Sequence, residues 1–312
     1  MNNLLISFNA VAPMFLWMIL GYSVRLRGIL DENSQNQLNR MVFQVFMPAL
    51  LFYNIYKTDL HISIQPKLML FVLMEIIMMW LLALAVGIKA DPRSQKRGAL
   101  IQGMFRSNFI LFGLPIIINL FGSSGAGVTS MLIAIVIPLY NVLSVITLEI
   151  FRDCRLSIKD IFSGIFKNPL IIASLVGASF LFLQIQLPQF LERTVSGLAN
   201  IATPLALVIM GAGFQIHMVK ENARNLILAV LMKLLLVPTL FVFAAIAAGY
   251  RGVELATIMI LFSAPTAVSS FPMAKQMESD GDLASEIIAF TTLFSCITIF
   301  LWIFFLKQWS FI

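Results

Sequence analysis

Two short stretches place polar residues and helix breakers inside otherwise apolar segments. The first, at residues 105–118, reads FRSNFILFGLPIII, and the second, at residues 263–272, reads SAPTAVSSFP. A proline inside a helix removes one backbone hydrogen bond and clashes with the preceding turn, at a cost of about 3 kcal/mol or more. At membrane depth, non-helical backbone is tolerated only where it is buried in protein or lines a wet cavity. The sequence therefore predicts two unwound points, one at Gly113 and Pro115 and one within residues 263–272.

Unwound points of this kind can form an anion-binding site. Half-helix termini carry free N–H groups and dipoles that favour an anion, and neighbouring amides and hydroxyls add donors. The alternative is a simple proline kink that local Ser or Thr side chains satisfy without a ligand. Two matched breaks with clustered polar residues favour a binding site near the midplane. The candidate residues of this site are Asn108, Gly113, Pro115, Ser263, Pro265, Thr266, Ser269 and Ser270.

Arg106 lies on the inner side of its apolar segment, nine residues after Arg97. A guanidinium at the centre of a bilayer costs about 2.5–3.5 kcal/mol on insertion scales. The side chain therefore either faces the protein interior or snorkels to the interface as an anchor. We favour the interior, where Arg106 would attract a carboxylate substrate. Asn54 and Asn141 are amides at membrane depth that either contact substrate or bond a neighbouring helix.

Glu75 and Lys233 are two further charges inside apolar segments, near the middle of the third and the eighth. Two arrangements are open: a buried ion pair, or two separate groups that flank the breaks. Because burial disfavours an ionised carboxylate, Glu75 is the first candidate for carrying a coupling proton.

The elements that position these residues are membrane-spanning helices. Of the 312 residues, 60% are hydrophobic and 12% are charged, and the mean hydropathy is +0.93, which is far from the balance of a soluble domain. Apolar runs of about 20 residues recur along the whole chain, each long enough to cross a bilayer. The predicted spans lie near 4–26, 36–57, 67–89, 97–121, 126–151, 168–187, 195–217, 224–249, 253–277 and 284–307.

Charge and composition orient these spans and exclude other classes of protein. The net charge of +6 comes from short loops and not from a nucleic-acid-binding patch. Placing both termini outside the cytoplasm puts most loop lysines and arginines on the inner side. The two cysteines and two histidines lack metal-ligand spacing, so no metal or cofactor is predicted. No paired catalytic groups lie at membrane depth, which argues against an intramembrane enzyme.

The spans divide into two halves, 1–161 and 162–312, with five spans in each. Because five is odd, the second half enters the membrane upside down, so similar halves would form an inverted repeat. Pro48 and Pro204 occupy matching places in spans 2 and 7, and Pro115 and Pro265 do so in spans 4 and 9. Interrupted helices at matching places in two halves are the best sequence indication of a transporter's central site.

Several motifs resemble the auxin efflux carrier family, which includes plant PIN-type auxin exporters and bacterial malate and malonate permeases. They are the N-x-x-x-x-G-x-P pattern at Asn108, Gly113 and Pro115, the APTAV at residues 264–268, the trailing AK at 274–275, and NPLIIASLVG in span 6. The similarity extends over essentially the whole chain. Three features depart from the plant exporters: their long hydrophilic loop is absent, their second proline in span 9 is Ser270 here, and their span 3 Asp and Lys are not reproduced. Auxin and the uncoupled plant mechanism are therefore not carried over.

The resemblance implies an all-α membrane protein with ten helices in two inverted five-helix repeats, as in bile-acid and sodium/proton transporters. Spans 1, 2, 6 and 7 would form a scaffold, and spans 3–5 and 8–10 a transport domain with the crossing of broken helices 4 and 9. It also implies organic anion substrates and a homodimer through the scaffold. The resulting prediction is a secondary-active permease or efflux carrier of the cell membrane that moves a small carboxylate by an elevator mechanism, with a proton as candidate coupling ion. A sodium-coupled anion symporter and a non-transporting receptor are the alternatives.

Overall fold

A computed structural model describes residues 2–57, 65–122, 125–152, 164 and 167–312, and the side chains of all of these except 2–10 and 216. Over these ranges the chain is helical, with no strand. The predicted boundary between the halves, at 161 and 162, lies outside the described residues.

Long apolar runs form most of the helices, because each run satisfies its backbone hydrogen bonds internally. Six segments within the described ranges are both long and apolar enough to cross a membrane: 66–90, 94–121, 126–150, 189–213, 223–247 and 281–308. Shorter apolar helical stretches lie at Val11–Leu26, Pro169–Phe182 and Gly252–Ser263. The chain is therefore a multi-pass membrane protein.

The helices follow the predicted spans closely. π-Helical turns at Val42–Phe46 and Met232–Leu236 continue α2 into α3 and α11 into α12. The helix bounds are α1 Asn2–Leu26, α2 Glu32–Met41, α3 Met47–Tyr56, α4 Pro66–Ala90, α5 Ser94–Phe105, α6 Phe109–Phe121, α7 Ala126–Ile150, α8 Pro169–Phe182, α9 Gln189–Gly213, α10 Ile216–Glu221, α11 Ala223–Leu231, α12 Val237–Ala247, α13 Gly252–Ser263, α14 Ser270–Gln276 and α15 Gly281–Gln308.

The fourth span is interrupted, but not at the predicted residues. Helix α5 ends at Phe105 and α6 begins at Phe109, so residues 106–108 form the break. The prediction of an unwound point at Gly113 and Pro115 is wrong, because both lie inside α6. A proline removes only one helical hydrogen bond, and a membrane helix accommodates that loss where neighbouring groups satisfy the freed carbonyl.

The ninth span is interrupted where the sequence predicted. Helix α13 ends at Ser263 and α14 begins at Ser270, so the break at 264–269 lies within the predicted 263–272. The two breaks meet and bond to each other. The Asn108 N–H donates to the Pro265 carbonyl at 2.8 Å, and the Thr266 hydroxyl donates to the Gly103 carbonyl at 2.7 Å. We call residues 106–108 and 264–269 the crossing.

Two sets of helices are distinguished here, and α1 of the first also packs against α15 of the second. Helices α1, α3, α8 and α9 pack on one another and are here called the panel, and helices α4–α7 and α11–α15, which surround the crossing, are called the bundle. Within the panel, α1 approaches α9 so closely that a Cβ atom on Gly21 would overlap the Val208 carbonyl, and one on Gly211 would overlap the Met18 backbone. Such close backbone approach at small residues is how helices associate without a hydrophobic driving force.

Candidate functional site

A cavity of about 740 Å³ lies between the panel and the crossing. Both sides contribute polar side chains, whereas the rest of the wall is apolar. A concave and largely apolar cavity with a few convergent polar groups is the usual form of a small-molecule site. The apolar wall includes Met14, Trp17, Met47, Leu50, Leu51, Phe109, Ile110, Leu111, Ile137, Leu170, Ala199, Ala267 and Val268.

Arg106 is the cationic side chain of this wall, and it is only 4% exposed. Of the two positions that the sequence left open, the structure shows the buried one. The Nη2 atom donates to Asn141 Oδ1 at 2.6 Å, and Nη1 contacts the sulfur of Met273. With its amide turned to satisfy both neighbours, Gln102 accepts from Nη1 at 3.3 Å and donates to the Ser270 carbonyl at 3.3 Å.

The partners of Arg106 are therefore neutral. None of the ion pairs formed within the described part of the chain includes Arg106. A buried charge is normally paired, because burial removes its hydration and an opposite charge is needed to replace that favourable interaction. A guanidinium that is held by an amide and a thioether, and that faces a cavity, is suited to a ligand with a negative charge.

Further donors surround the guanidinium. Buried polar atoms of Ser107, Asn108, Tyr140 and Asn141 have no hydrogen-bond partner in the structure, and all four residues line the cavity. Helix α6 starts at Phe109, directly after the break, and its first N–H groups have no partner within the helix. These groups offer neutral donors to a carboxylate that Arg106 attracts.

The predicted binding residues divide into two sets. Gly113 does not line the cavity: a Cβ atom there would press on Phe109 and Thr129, so this glycine permits close packing. Ser263, Pro265, Thr266 and Ser270 do not line it either; Thr266 and Pro265 hold the crossing together, and the Ser263 hydroxyl donates to the Met259 sulfur. The predicted residues that line the cavity are Asn54, Arg106, Asn108, Pro115, Asn141 and Ser269.

Sequence reasoning missed four polar residues of the cavity: Ser107, Tyr140, Asn200 and Thr203. Ser107 stands between two residues that were singled out, and Tyr140 precedes Asn141, so proximity in sequence could have found both. Asn200 and Thr203 lie within one turn of Pro204, whose match with Pro48 was noted. Their small polar side chains gave no signal apart from that position.

Glu75 and Lys233 lie apart from the cavity and from each other. Glu75 is 4% exposed and Lys233 is fully buried, and neither the two carboxylate oxygens nor the ammonium has a hydrogen-bond partner. Of the two arrangements that the sequence left open, the structure therefore excludes the buried ion pair. Spans 3 and 8 correspond by position in the two halves, but that correspondence does not bring the two side chains into contact.

The known proteins that this chain is similar to are described as transporters. A family model described as "Membrane transport protein" matches residues 6–159 and 154–303. An "Uncharacterized transporter" from Methanothermobacter thermautotrophicus is 24% identical over 95% of this chain and 97% of its own length. A second "Uncharacterized transporter", from Methanocaldococcus jannaschii, is 23% identical over 96% of this chain and 98% of its own length.

A third relative carries a substrate in its name. A "Putative malonate transporter" from Rhizobium meliloti is 31% identical over 133 residues, which is 42% of each chain.

Proposed function

This chain belongs to the membrane transport protein family, the auxin efflux carrier family that its motifs resemble, and we propose that it is a secondary-active transporter of a small organic carboxylate. The observation that carries the proposal is Arg106, a buried cation without a carboxylate partner in the described residues that faces the cavity beside the crossing. Its relatives are named as transporters and not as enzymes.

The proposed mechanism is an elevator. The panel acts as the scaffold, and the bundle carries the crossing and the bound anion from one side of the membrane to the other. The position of the cavity supports this division, because the cavity lies where the two helix groups face each other. Its panel wall is mainly apolar, so the bundle can slide past it without breaking strong polar bonds.

The proposed architecture is ten spans in two inverted repeats, 1–161 and 162–312, in the cell membrane with both termini outside the cytoplasm. The two broken helices that meet at the crossing support the repeat. The excess of lysine and arginine in the inner loops supports the orientation. The homodimer through the scaffold remains an expectation from the family.

The proposed substrate contacts are Arg106 for the carboxylate and Asn108, Asn141, Asn54 and Ser269 for its remaining polar atoms. All five line the cavity. Glu75 and Lys233 are the coupling candidates, because each is a buried ionisable group without a partner. A sodium-coupled cycle is the competing form of coupling.

The test is a thermal-shift screen of the purified protein against malonate, malate and phenylacetate. At least one carboxylate should raise the midpoint of unfolding of the wild type, because a ligand that binds only the folded state stabilises it. Arg106→Gln should abolish the shift. The control, Arg27→Gln, removes an exposed arginine outside the cavity and should retain it. Shifts of equal size in both variants would contradict the proposed site.

A further inference from the structure

An additional cluster of unpartnered polar groups lies behind the wall of the cavity. The two carboxylate oxygens of Glu75 and the hydroxyls of Tyr140 and Ser144 are buried and have no hydrogen-bond partner. Buried polar groups in native structures are almost always bonded, so each exception calls for a functional explanation. Neither Glu75 nor Ser144 lines the cavity, whereas Tyr140 does.

Two hydrogen bonds fix the register of α4 against α7. The Gln65 N–H donates to the Met131 sulfur at 3.4 Å, and the Trp80 indole N–H donates to the Thr147 hydroxyl at 2.8 Å. The two helices are therefore parallel and advance together. Counting forward along both helices from the pair Gln65 and Met131, or backward from the pair Trp80 and Thr147, places Glu75 level with residues 141–142 of α7.

Tyr140 and Ser144 are four residues apart, so they lie on the same face of α7, one above the other. Their hydroxyls lie within one turn of the level of Glu75. Tyr140 interacts electrostatically with both Glu75 and Arg106, so it is near both the carboxyl and the anion site.

The surroundings of Glu75 contain few ionisable groups. Among the described residues they are Tyr140 of α7 and Tyr250 of the turn before α13, whose ring packs on Phe71 one turn before Glu75. Within the described residues, no cation forms an ion pair with Glu75. An ionised carboxylate in this place would have neither water nor a counter-charge.

We propose that Glu75, Tyr140 and Ser144 form a proton-binding site that is coupled to the anion cavity through the Tyr140 hydroxyl. An ionised Glu75 takes the hydrogen bond of Tyr140. When Glu75 gains a proton from solvent, Tyr140 is released and donates to the carboxylate at Arg106. Anion and proton are therefore loaded together, as in a symporter. This inference rests on the proposed function for the anion, and it selects Glu75 over Lys233 as the coupling group.

The proton site is tested without any ligand by pH-difference infrared spectroscopy of the purified protein. The wild type should show the C=O band of a protonated carboxyl group that Glu75→Gln lacks. Tyr140→Phe should change the pH dependence of this band, because it removes a hydrogen bond to the ionised carboxylate. Ser144→Ala is a second variant with the same expectation. Tyr22→Phe is the matched control, since Tyr22 is an exposed tyrosine of α1 outside the cavity, and it should leave the band unchanged.

Coupling is tested by titrating malonate at several pH values. One linked proton makes the affinity of the wild type fall about tenfold for each unit of pH through the titration of Glu75. Glu75→Gln should keep the affinity of the acid form at every pH. Tyr140→Phe should bind malonate with a flat pH profile, and Tyr22→Phe should follow the wild type.

The two readouts separate the failure of this inference from that of the proposed function. An infrared band whose pH dependence is unchanged in both Tyr140→Phe and Ser144→Ala overturns the proton site. Malonate affinity that is independent of pH in the wild type, or that follows sodium instead, overturns the coupling and leaves the anion site intact. Absence of malonate binding in every variant, with the infrared changes as expected, counts against malonate as the substrate and supports the Glu75 site.

Discussion

At the scale of single residues, the site depends on how Arg106 is held. Its neighbours Asn141, Gln102 and Met273 are neutral, so the positive charge remains available to a ligand. The sequence favoured a buried Arg106 and singled out Asn141 as a contact of either substrate or a neighbouring helix, because charges and amides at membrane depth are rare enough to stand out. It could not show that the two side chains bond to each other, since that contact joins residues 35 positions apart.

A substitution at Asn141 tests whether this charge is needed. Asn141→Asp places a carboxylate against the guanidinium and forms an internal ion pair, so we expect anion affinity to fall about a hundredfold. Asn141→Ala removes only the neutral partner and should cost a few-fold. Equilibrium binding of radiolabelled malonate measures both, and equal losses in the two variants would show that the charge of Arg106 is not what recognises the anion.

Asp91 illustrates a residue whose role is structural. It ends α4 and accepts hydrogen bonds from the Arg93 backbone N–H and guanidinium and from Asn225 Nδ2. These bonds, led by the one from the Arg93 side chain, hold the pKa of the Asp91 carboxyl below its ordinary value of 3.8. Asp91 thus ties the loop between α4 and α5 to α11.

Asp91→Asn should therefore lower the free energy of unfolding near neutral pH by about 1–3 kcal/mol. The carboxylate is more acidic in the folded than in the unfolded state. Its contribution is therefore present above the unfolded pKa near 4 and is lost as the pH falls toward the folded value. The difference in thermal midpoint between wild type and Asp91→Asn should shrink below pH 4. Glu221→Gln, at an exposed position, should track the wild type; a gap that is constant with pH would contradict the assignment.

At the scale of the helices, span positions were the most predictable feature. Apolar length alone located the helices of the described residues, six of which are long and apolar enough to cross a membrane, because backbone satisfaction in lipid requires helices. The break in the ninth span was also found, from clustered serines and prolines. The break in the fourth span was placed at the wrong residues, because the prediction relied on Pro115 as a helix breaker. The observed break at residues 106–108 is held by a tertiary bond from Asn108 to Pro265, which no local pattern records.

The close approach of α1 and α9 makes a prediction about glycines. Gly211→Val should destabilise the protein by about 1–3 kcal/mol, because the new side chain overlaps the Met18 backbone and forces the helices apart. Gly197→Ala in the same helix has no atom nearby and should stabilise the protein by up to about 1 kcal/mol, as Ala favours a helix over Gly. Thermal unfolding in detergent compares them, and equal midpoints would contradict the packing.

At the scale of the whole molecule, the account requires the bundle to move against the panel. Asn168, which caps α8 in the panel, donates through Nδ2 to the sulfur of Met277 at the end of α14. A cross-link at this contact would join the two groups. Sequence patterns locate helices but do not give the packing between groups, so this interface could be described only from the structure.

Asn168→Cys with Met277→Cys, in a background with both native cysteines replaced, should lose transport on cross-linking and recover it on reduction. The matched control is Thr129→Cys with Thr257→Cys, whose hydroxyls are 3.2 Å apart within the bundle. Cross-linking of this control should leave transport intact, because its two helices move together. Full transport by the cross-linked Asn168 and Met277 pair would exclude an elevator.

The central claim is that the cavity beside Arg106 carries an organic anion across the membrane. Counterflow of radiolabelled malonate into proteoliposomes preloaded with unlabelled malonate tests it most directly, because a receptor that binds without cycling gives no exchange. We predict exchange by the wild type and Arg27→Gln, and a loss of about 30-fold or more in Arg106→Gln, since removing one partner of a buried charge pair costs about 2–5 kcal/mol. Exchange at the wild-type rate in Arg106→Gln would contradict the account.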